Sequence, residues 1–306
     1  MEGKMQFKIS DVHGMVVPII TPLTQEESLD ETASEKIIDF QINSGIHGIF
    51  ANSTTGEGVC LTDSSRRQSL KILVEKVKGR IPVYAGISDT STRRVILNIK
   101  EAEDLGVNVL VAHPPYYYAP NAQEELYIYF REIINAASSP VMLYNIPWTT
   151  KTSISLETIK RLLEFESLIG IKDSSADFVY LQNLITLKQN FRPEFKIFIG
   201  KSQMWTAGIL SGADGGLDGI SNVIPGRCVD LYHKIKTGSN DIFELQKEIN
   251  EIWRIYECRS FLGGIKAAMS LMGFCQPFTM KPVLMATPEE INKIKDILTK
   301  YDLLNY

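Results

Sequence analysis

Residues 82–112, PVYAGISDTSTRRVILNIKEAEDLGVNVLVA, decide the fold because they contain two short apolar runs separated by an amphipathic segment. The runs Pro82–Ala85 and Val109–Ala112 have the length and apolar character of buried parallel strands. One side of the intervening segment carries a stripe of apolar residues at helical spacing, namely Val95, Ile96, Ile99 and Ala102. The predicted helix ends near Gly106. Strand, helix and strand in this order indicate a parallel sheet.

The same alternation continues along most of the chain. Eight segments are predicted to be strands: Met15–Ile20, Gly48–Ala51, Pro82–Ala85, Val109–Ala112, Val141–Tyr144, Leu168–Lys172, Lys196–Ile199 and Gly215–Ile220. Eight such units close most simply into a (β/α)8 TIM barrel, which is the predicted α/β fold. An open doubly wound sheet is the alternative. It usually begins with a glycine-rich turn, and the first turn here, Thr-Pro-Leu-Thr at residues 21–24, contains no glycine.

After residue 236 the strand pattern stops, and three helical stretches are predicted at Asp241–Phe261, Gly264–Met272 and Pro288–Leu303. We therefore expect a barrel domain over residues 1–236 and a small C-terminal helical appendage over residues 237–306. One barrel of about 250 residues leaves room for such an appendage in this chain.

Composition excludes several classes of protein. The chain is 44% hydrophobic and 22% charged with a net charge of −4, and no basic block suggests a nucleic-acid partner. No apolar run approaches the roughly 20 residues of a membrane-spanning helix. The segment Met1–Asp11 lacks the features of a signal peptide, so a cytoplasmic protein is expected. The four cysteines and four histidines show no metal-ligand spacing, so no metal is expected.

Lys172 is the most informative single residue. Active sites of (β/α)8 barrels lie at the carboxyl ends of the strands, and Lys172 ends the apolar run 168–172. Desolvation in an apolar barrel mouth favours the neutral amine that can attack a ketone. The competing interpretation is a lysine that extends from the strand end into solvent. Lys266, in the predicted appendage, is interpreted as structural.

Two other strand ends carry candidate groups. Tyr144 ends the fifth strand, where its hydroxyl could transfer protons, although an aromatic ring that packs on the barrel core is the competing interpretation. The second strand leads into the turn Thr54-Thr55-Gly56-Glu57. Gly56 permits a positive φ, so that successive backbone amides could converge on a carboxylate. An ordinary βα turn is the alternative.

The segment Pro114–Pro120 is a stiff loop with three consecutive tyrosines, Tyr116, Tyr117 and Tyr118. Its prolines fix the backbone, and exposed aromatic rings favour contact with a partner surface or a ligand. The competing interpretation is a rigid loop that packs on its own barrel.

Taken together, these motifs resemble the dihydrodipicolinate synthase/N-acetylneuraminate lyase family of pyruvate-dependent aldolases. The resemblance extends from Gly14 to the C-terminal helices. It rests on four blocks that occur in order at strand ends: Ser53-Thr54-Thr55-Gly56-Glu57, Pro115-Tyr116-Tyr117, Tyr144-Asn145-Ile146-Pro147 and Gly170-Ile171-Lys172-Asp173. Each block is weak alone, and the ordered set is specific.

The resemblance implies a class I mechanism in which Lys172 forms a Schiff base with pyruvate or with the pyruvate end of a longer 2-oxo acid. Tyr144 is the implied general acid/base, and Thr54 relays protons between Tyr144 and Tyr117, the latter contributed across a dimer interface. Backbone amides of Thr54 and Thr55 hold the carboxylate.

The resemblance further implies that Ile220, with the turn from Gly219 to Asn222, lines the far side of the pocket. Neither a metal nor an organic cofactor is required. Members of the family are often tetramers built as dimers of dimers, so a homodimer or homotetramer is expected.

One departure from the family pattern bears on the substrate. Dihydrodipicolinate synthases usually carry an arginine two residues after Tyr-Asn-x-Pro, which grips the carboxylate of aspartate semialdehyde. Thr149 occupies that position here, and the nearby Lys151 does not reproduce arginine geometry. Residues 149–151 suit a hydroxylated aldehyde better, so a 2-keto-3-deoxy sugar acid is slightly preferred over aspartate semialdehyde chemistry.

Two further interpretations remain open. A catalytically silent barrel could bind a 2-oxo acid as a sensor, although pure binding has no use for a desolvated amine. A phosphate-binding enzyme would use Gly200-Lys201 and Asp214-Gly215-Gly216, in the loops after strands seven and eight.

Overall fold

A computed structural model describes residues 8–304, and its centre is a closed barrel of eight parallel strands paired in sequence order. Pairing of the first strand with the eighth closes the barrel. The strands are β1 (Gly14–Pro18), β2 (Gly48–Ala51), β3 (Val83–Gly86), β4 (Val109–Ala112), β5 (Val141–Asn145), β6 (Leu168–Asp173), β7 (Lys196–Ile199) and β8 (Gly215–Gly216). The predicted (β/α)8 fold is confirmed, and the open sheet is excluded.

Helices cover the outside of the barrel and continue beyond it. They are α1 (Glu31–Asn43), α2 (Asp63–Val77), α3 (Thr92–Leu105), α4 (Gln123–Ala136), α5 (Pro147–Thr150), α6 (Leu156–Leu162), α7 (Phe178–Phe191), α8 (Trp205–Ser211), α9 (Pro225–Thr237), α10 (Ile242–Ile252), α11 (Phe261–Leu271) and α12 (Pro288–Lys300). α3 ends at Leu105, in agreement with the predicted end near Gly106, and Gly106 caps it in the left-handed conformation. Within residues 8–304, no helix is long and apolar enough to cross a bilayer.

Seven of the eight strands, β1 to β7, contribute inward-facing side chains to a separate apolar cluster in the barrel interior. In β2, Phe50 belongs to the interior cluster, whereas Ile49 packs outward against the helices. In β5, Met142 and Tyr144 face inward. Tyr144 therefore lies on the interior face near the carboxyl end of its strand.

The first and last strands are shorter than predicted, and the same structural feature ends both. β1 stops at Pro18 because the N–H of Ile20 donates to Oδ1 of Asn222 (3.0 Å) instead of joining the sheet. The prediction of a strand over Gly215–Ile220 is wrong beyond Gly216. Asp218 Oδ1 accepts a hydrogen bond from Ile220 N (3.0 Å) and starts a 3-10 helix at Gly219–Asn222.

The predicted helix Asp241–Phe261 is wrong as a single element. α10 ends at Ile252, a 3-10 turn follows at Trp253–Tyr256, and α11 begins at Phe261. Ser260 caps α11, with its hydroxyl oxygen accepting from Gly263 N (3.4 Å), which explains the break. The remaining helices begin or end within three residues of the predicted positions.

Close packing fixes α11 against the preceding 3-10 turn. A Cβ at Gly264 would lie 2.1 Å from the carbonyl oxygen of Ile255, so only glycine fits this contact. α11 also contacts the 3-10 helix at Gly219–Asn222, at the carboxyl end of the barrel. The C-terminal helices thereby reach the face where barrel active sites lie.

Candidate active site

A cavity of about 250 Å³ opens at the carboxyl ends of the strands. Its base contains Lys172 from β6 and Tyr144 from β5, which are direct partners in the register of the two strands. Thr54 and Thr55 form part of its wall. The structure therefore brings together four of the eight predicted site residues.

Lys172 and Tyr144 are both 3% exposed. The ammonium nitrogen of Lys172 lies 4.0 Å from the centroid of the Tyr144 ring and 5.5 Å from that of Phe50. Among the described residues, no carboxylate forms an ion pair with this amine. Lys172 therefore lies buried beside two aromatic rings at the base of the cavity, where a ligand in the cavity can reach its nitrogen.

The turn after β2 differs in detail from the prediction. The residue with positive φ is Glu57 (56°), not Gly56. Glycine is needed at position 56 for a close approach, since a Cβ there would lie 2.8 Å from the carbonyl oxygen of Ile19. Gly56 N donates to Ser53 Oγ (3.1 Å), so its amide is already bonded within the turn. Gly56 supports the turn from outside the cavity wall, which Thr54 and Thr55 supply.

A buried ion pair anchors this turn to the C-terminal helices. The Glu57 carboxylate contacts the ammonium of Lys266 in α11, and both side chains are fully buried. Lys266 Nζ also donates to the carbonyl oxygen of Phe278 (2.7 Å), and Glu57 Oε2 accepts from Met280 N (2.7 Å). Burial lowers the pKa of Lys266, although the neighbouring Glu57 opposes that shift. Lys266 therefore connects the turn after β2 to the C-terminal region, which agrees with its interpretation as a structural residue.

Two other predicted residues lie beside the cavity. Thr149 is in α5, where its hydroxyl donates to the carbonyl oxygen of Ile146 (3.1 Å), and the cavity wall is formed by the preceding Trp148. Lys151 Nζ donates to the carbonyl oxygen of Trp148 (2.8 Å) and so is engaged by its own segment. Ile220 is fully buried behind the wall.

Tyr117 lies away from the cavity of its own chain. Its side chain is 85% exposed, its φ is +73°, and its ring packs edge-on against that of Tyr118 at 5.0 Å. A positive φ is unfavourable for a bulky residue, and an exposed aromatic ring leaves apolar surface in contact with water. Burial of the ring against a partner surface would offset both effects.

The cavity has a wall that the sequence reasoning missed. Trp253, Tyr256 and Phe261 line it from the C-terminal region, opposite the strand ends. The hydroxyl of Tyr256 donates to Asp218 Oδ1 (3.1 Å), and burial raises the pKa of Tyr256 well above its usual value. Only the crowding of aromatic residues at 253–261 could have drawn attention to this segment.

His113 adds an enclosed imidazole beside the site. Its ring centroid lies 6.1 Å from that of Tyr144, and its Nδ1 is 2.7 Å from the carbonyl oxygen of Pro114. Burial lowers the pKa of His113 to about 4, and the charge of Lys172 acts in the same direction. His113 is therefore neutral at physiological pH, with Nδ1–H as the donor to Pro114.

Comparison with known proteins assigns the chain to a family. The model of the dihydrodipicolinate synthetase family matches residues 11–301. The chain belongs to this family. It is accordingly a lyase of the class I aldolase type.

Individual relatives agree with the family assignment. A DapA-like lyase of Pyrococcus horikoshii is 34% identical over 295 residues, covering 94% of this chain and 100% of the relative. A 4-hydroxy-tetrahydrodipicolinate synthase of Kosmotoga olearia is 35% identical over 71% of this chain and 74% of its own length. The prophage protein YagE of E. coli K12, a member of the dihydrodipicolinic acid synthase family solved in complex with pyruvate, has a TM-score of 0.92 at 25% identity. That comparison covers 95% of this chain and 99% of YagE.

Proposed function

We propose that the protein makes or breaks a carbon–carbon bond between pyruvate and an aldehyde through a Schiff base on Lys172. One observation carries this proposal: the buried amine of Lys172 lies 4.0 Å from the ring of Tyr144 at the base of a cavity of about 250 Å³. The pyruvate complex of the related YagE supports the choice of the 2-oxo acid.

The proposed reaction needs no metal or organic cofactor. The neutral amine of Lys172 adds to the ketone, and Tyr144 delivers and removes protons until one water leaves and a protonated imine remains. Loss of a proton from the methyl carbon then gives an enamine, which attacks the aldehyde to form the new bond. Cleavage is the reverse sequence, and hydrolysis of the imine regenerates the amine.

Thr54 and Thr55 are proposed to hold the substrate. Their backbone N–H groups would bind the pyruvate carboxylate, and the hydroxyl of Thr54 would relay protons between Tyr144 and Tyr117. Their place in the cavity wall, within a turn fixed by the buried Glu57, supports this role.

Tyr117 is proposed to act in the site of a neighbouring copy. Its 85% exposure and its absence from the lining of its own cavity support a function in a homodimer or homotetramer. Co-purification of Lys172→Ala and Tyr117→Phe chains should restore part of the activity, because mixed dimers contain one intact site.

The aldehyde partner is proposed to derive from a 2-keto-3-deoxy sugar acid. Threonine at position 149 and the engagement of Lys151 by the Trp148 carbonyl support this choice over a site built around an arginine. The alternative is dihydrodipicolinate synthase, supported by the name of the Kosmotoga relative. Rescue of a lysine auxotroph would favour the alternative.

Two weaker alternatives make different predictions. A silent 2-oxo-acid-binding barrel would form the imine without turning over any aldehyde. A phosphate-binding enzyme would use the loop at Gly200-Lys201, which does line the cavity. We also retain as proposals the cytoplasmic location and the division into a barrel at 1–236 and an appendage at 237–306.

Borohydride trapping tests the central proposal. The purified protein is incubated with pyruvate and reduced, and the adduct is located by peptide mass spectrometry. A pyruvyl adduct on Lys172 is expected, with none in Lys172→Ala and an unchanged yield in the surface control Lys281→Ala. An adduct on another lysine, or none, would overturn the proposal.

A further inference from the structure

Lys201 is the second cation of the cavity. It follows β7 and lines the cavity together with Lys172. Its ammonium lies 5.7 Å from the centroid of the Trp148 ring, at the side of the cavity formed by α5. No step of the proposed Schiff-base reaction involves Lys201.

The charge of Lys201 is not balanced locally. Among residues 8–304, no carboxylate lies within ion-pair distance of its ammonium. Asp218, the acidic residue of the wall, already accepts hydrogen bonds from Ser202 N (2.9 Å), Ile220 N (3.0 Å) and the Tyr256 hydroxyl. The carboxylate of Asp218 is thus fixed by its own donors.

Lys201 also lies at a suitable height above the nucleophile. Lys172 pairs with Phe198 in the register of β6 and β7, and Lys201 is three residues further along the chain. An extended chain rises about 3.3 Å per residue, and β7 ends at Ile199, so Lys201 lies at most about 10 Å beyond Lys172 in the direction of the strand. This spacing suits the two ends of a substrate chain of several carbons that is held by its ketone at Lys172.

We propose that Lys201 binds an anionic group at the far end of the aldehyde, so that the enzyme prefers acidic aldehydes to neutral ones. This inference rests on the proposed Schiff-base function and narrows the proposed 2-keto-3-deoxy sugar acids to those whose far end carries a carboxylate or a phosphate. The ligand chemistry is a carboxylate or a phosphate, both of which an ammonium recognises as a point charge. Lys201 is thus a cation on the cavity wall of a chain in which Thr149 occupies the position of the family's usual arginine.

The test compares matched aldehydes with saturating pyruvate. One pair is D-glyceraldehyde and D-glyceraldehyde 3-phosphate, and the other is butyraldehyde and succinic semialdehyde, with aldehyde-dependent pyruvate consumption as the readout. Lys201→Met should lower kcat/KM roughly 10- to 100-fold for the anionic member of a pair and leave the neutral member within about 2-fold. Loss confined to one pair identifies the phosphate or the carboxylate as the group bound.

Two controls separate the possible failures. Lys151→Met removes a nearby cation whose ammonium is held by the Trp148 carbonyl, and it should leave the ratio of anionic to neutral kcat/KM unchanged. Borohydride trapping of pyruvate on Lys172 in Lys201→Met reports an intact fold and nucleophile. An adduct with an unchanged ratio overturns only the role of Lys201. Absence of the adduct in the wild-type protein overturns the Schiff-base proposal and this inference with it.

Discussion

Removal of one partner of the Glu57–Lys266 pair should destabilise the protein severely. Both side chains are fully buried, so Lys266→Met leaves a carboxylate in the interior with Met280 N as its remaining donor (2.7 Å). Breaking a buried pair in this way costs about 3–5 kcal/mol. At about 2 °C per kcal/mol for a chain of this size, the melting temperature should fall by roughly 6–10 °C.

A double-mutant cycle measures this effect by urea unfolding. The double variant Glu57→Gln/Lys266→Met removes both charges and should recover most of the loss, leaving a cost below about 2 kcal/mol. Lys281→Met is the matched control, since Lys281 is 81% exposed and pairs with Glu27 at the surface, and it should cost under about 1 kcal/mol. A cost below about 1 kcal/mol for Lys266→Met, or simple additivity in the double variant, would refute the reasoning.

Two other predictions concern the site. Tyr144→Phe should lower kcat about 10²- to 10⁴-fold by removing proton transfer, while pyruvate trapping on Lys172 becomes slower but still occurs; unchanged turnover would contradict the role of Tyr144. Because burial holds the pKa of His113 at about 4, below its unfolded value, protonation favours the unfolded chain and stability should fall between pH 7 and pH 5. The contribution of His113 is about 1–2 kcal/mol, and His113→Gln should show a correspondingly weaker pH dependence in urea unfolding.

The barrel was predictable because its signal is local and repeated. Apolar runs such as Val109–Ala112 indicate strands that are buried on both faces of the sheet. Amphipathic stretches such as 92–105 indicate the helices between these strands. The boundaries that were wrong depend on contacts far along the chain. Asn222 ends β1 by binding the amide of Ile20, 202 positions earlier, and no local pattern near Ile20 indicates that bond.

The site was predictable to the extent that it lies at strand ends. Lys172 and Tyr144 were located in this way, and the family resemblance linked them to Thr54. The wall formed by Trp253 and Phe261 was not predicted, because the sequence of a helical segment does not indicate which end of the barrel the segment covers. The reason for glycine at position 56 was also missed, because close approach to the Ile19 carbonyl is a property of the folded chain.

The link between Glu57 and Lys266 has a consequence for synthesis on the ribosome. The chain emerges from its amino end, so the strands that carry Tyr144 and Lys172 are made before the helix that carries Lys266. Before that helix is synthesised, the carboxylate of Glu57 lacks its ion-pair partner, and the cavity lacks the wall formed by Trp253, Tyr256 and Phe261. The aromatic wall of the cavity and the counter-charge of Glu57 are therefore the last parts of the site to be synthesised.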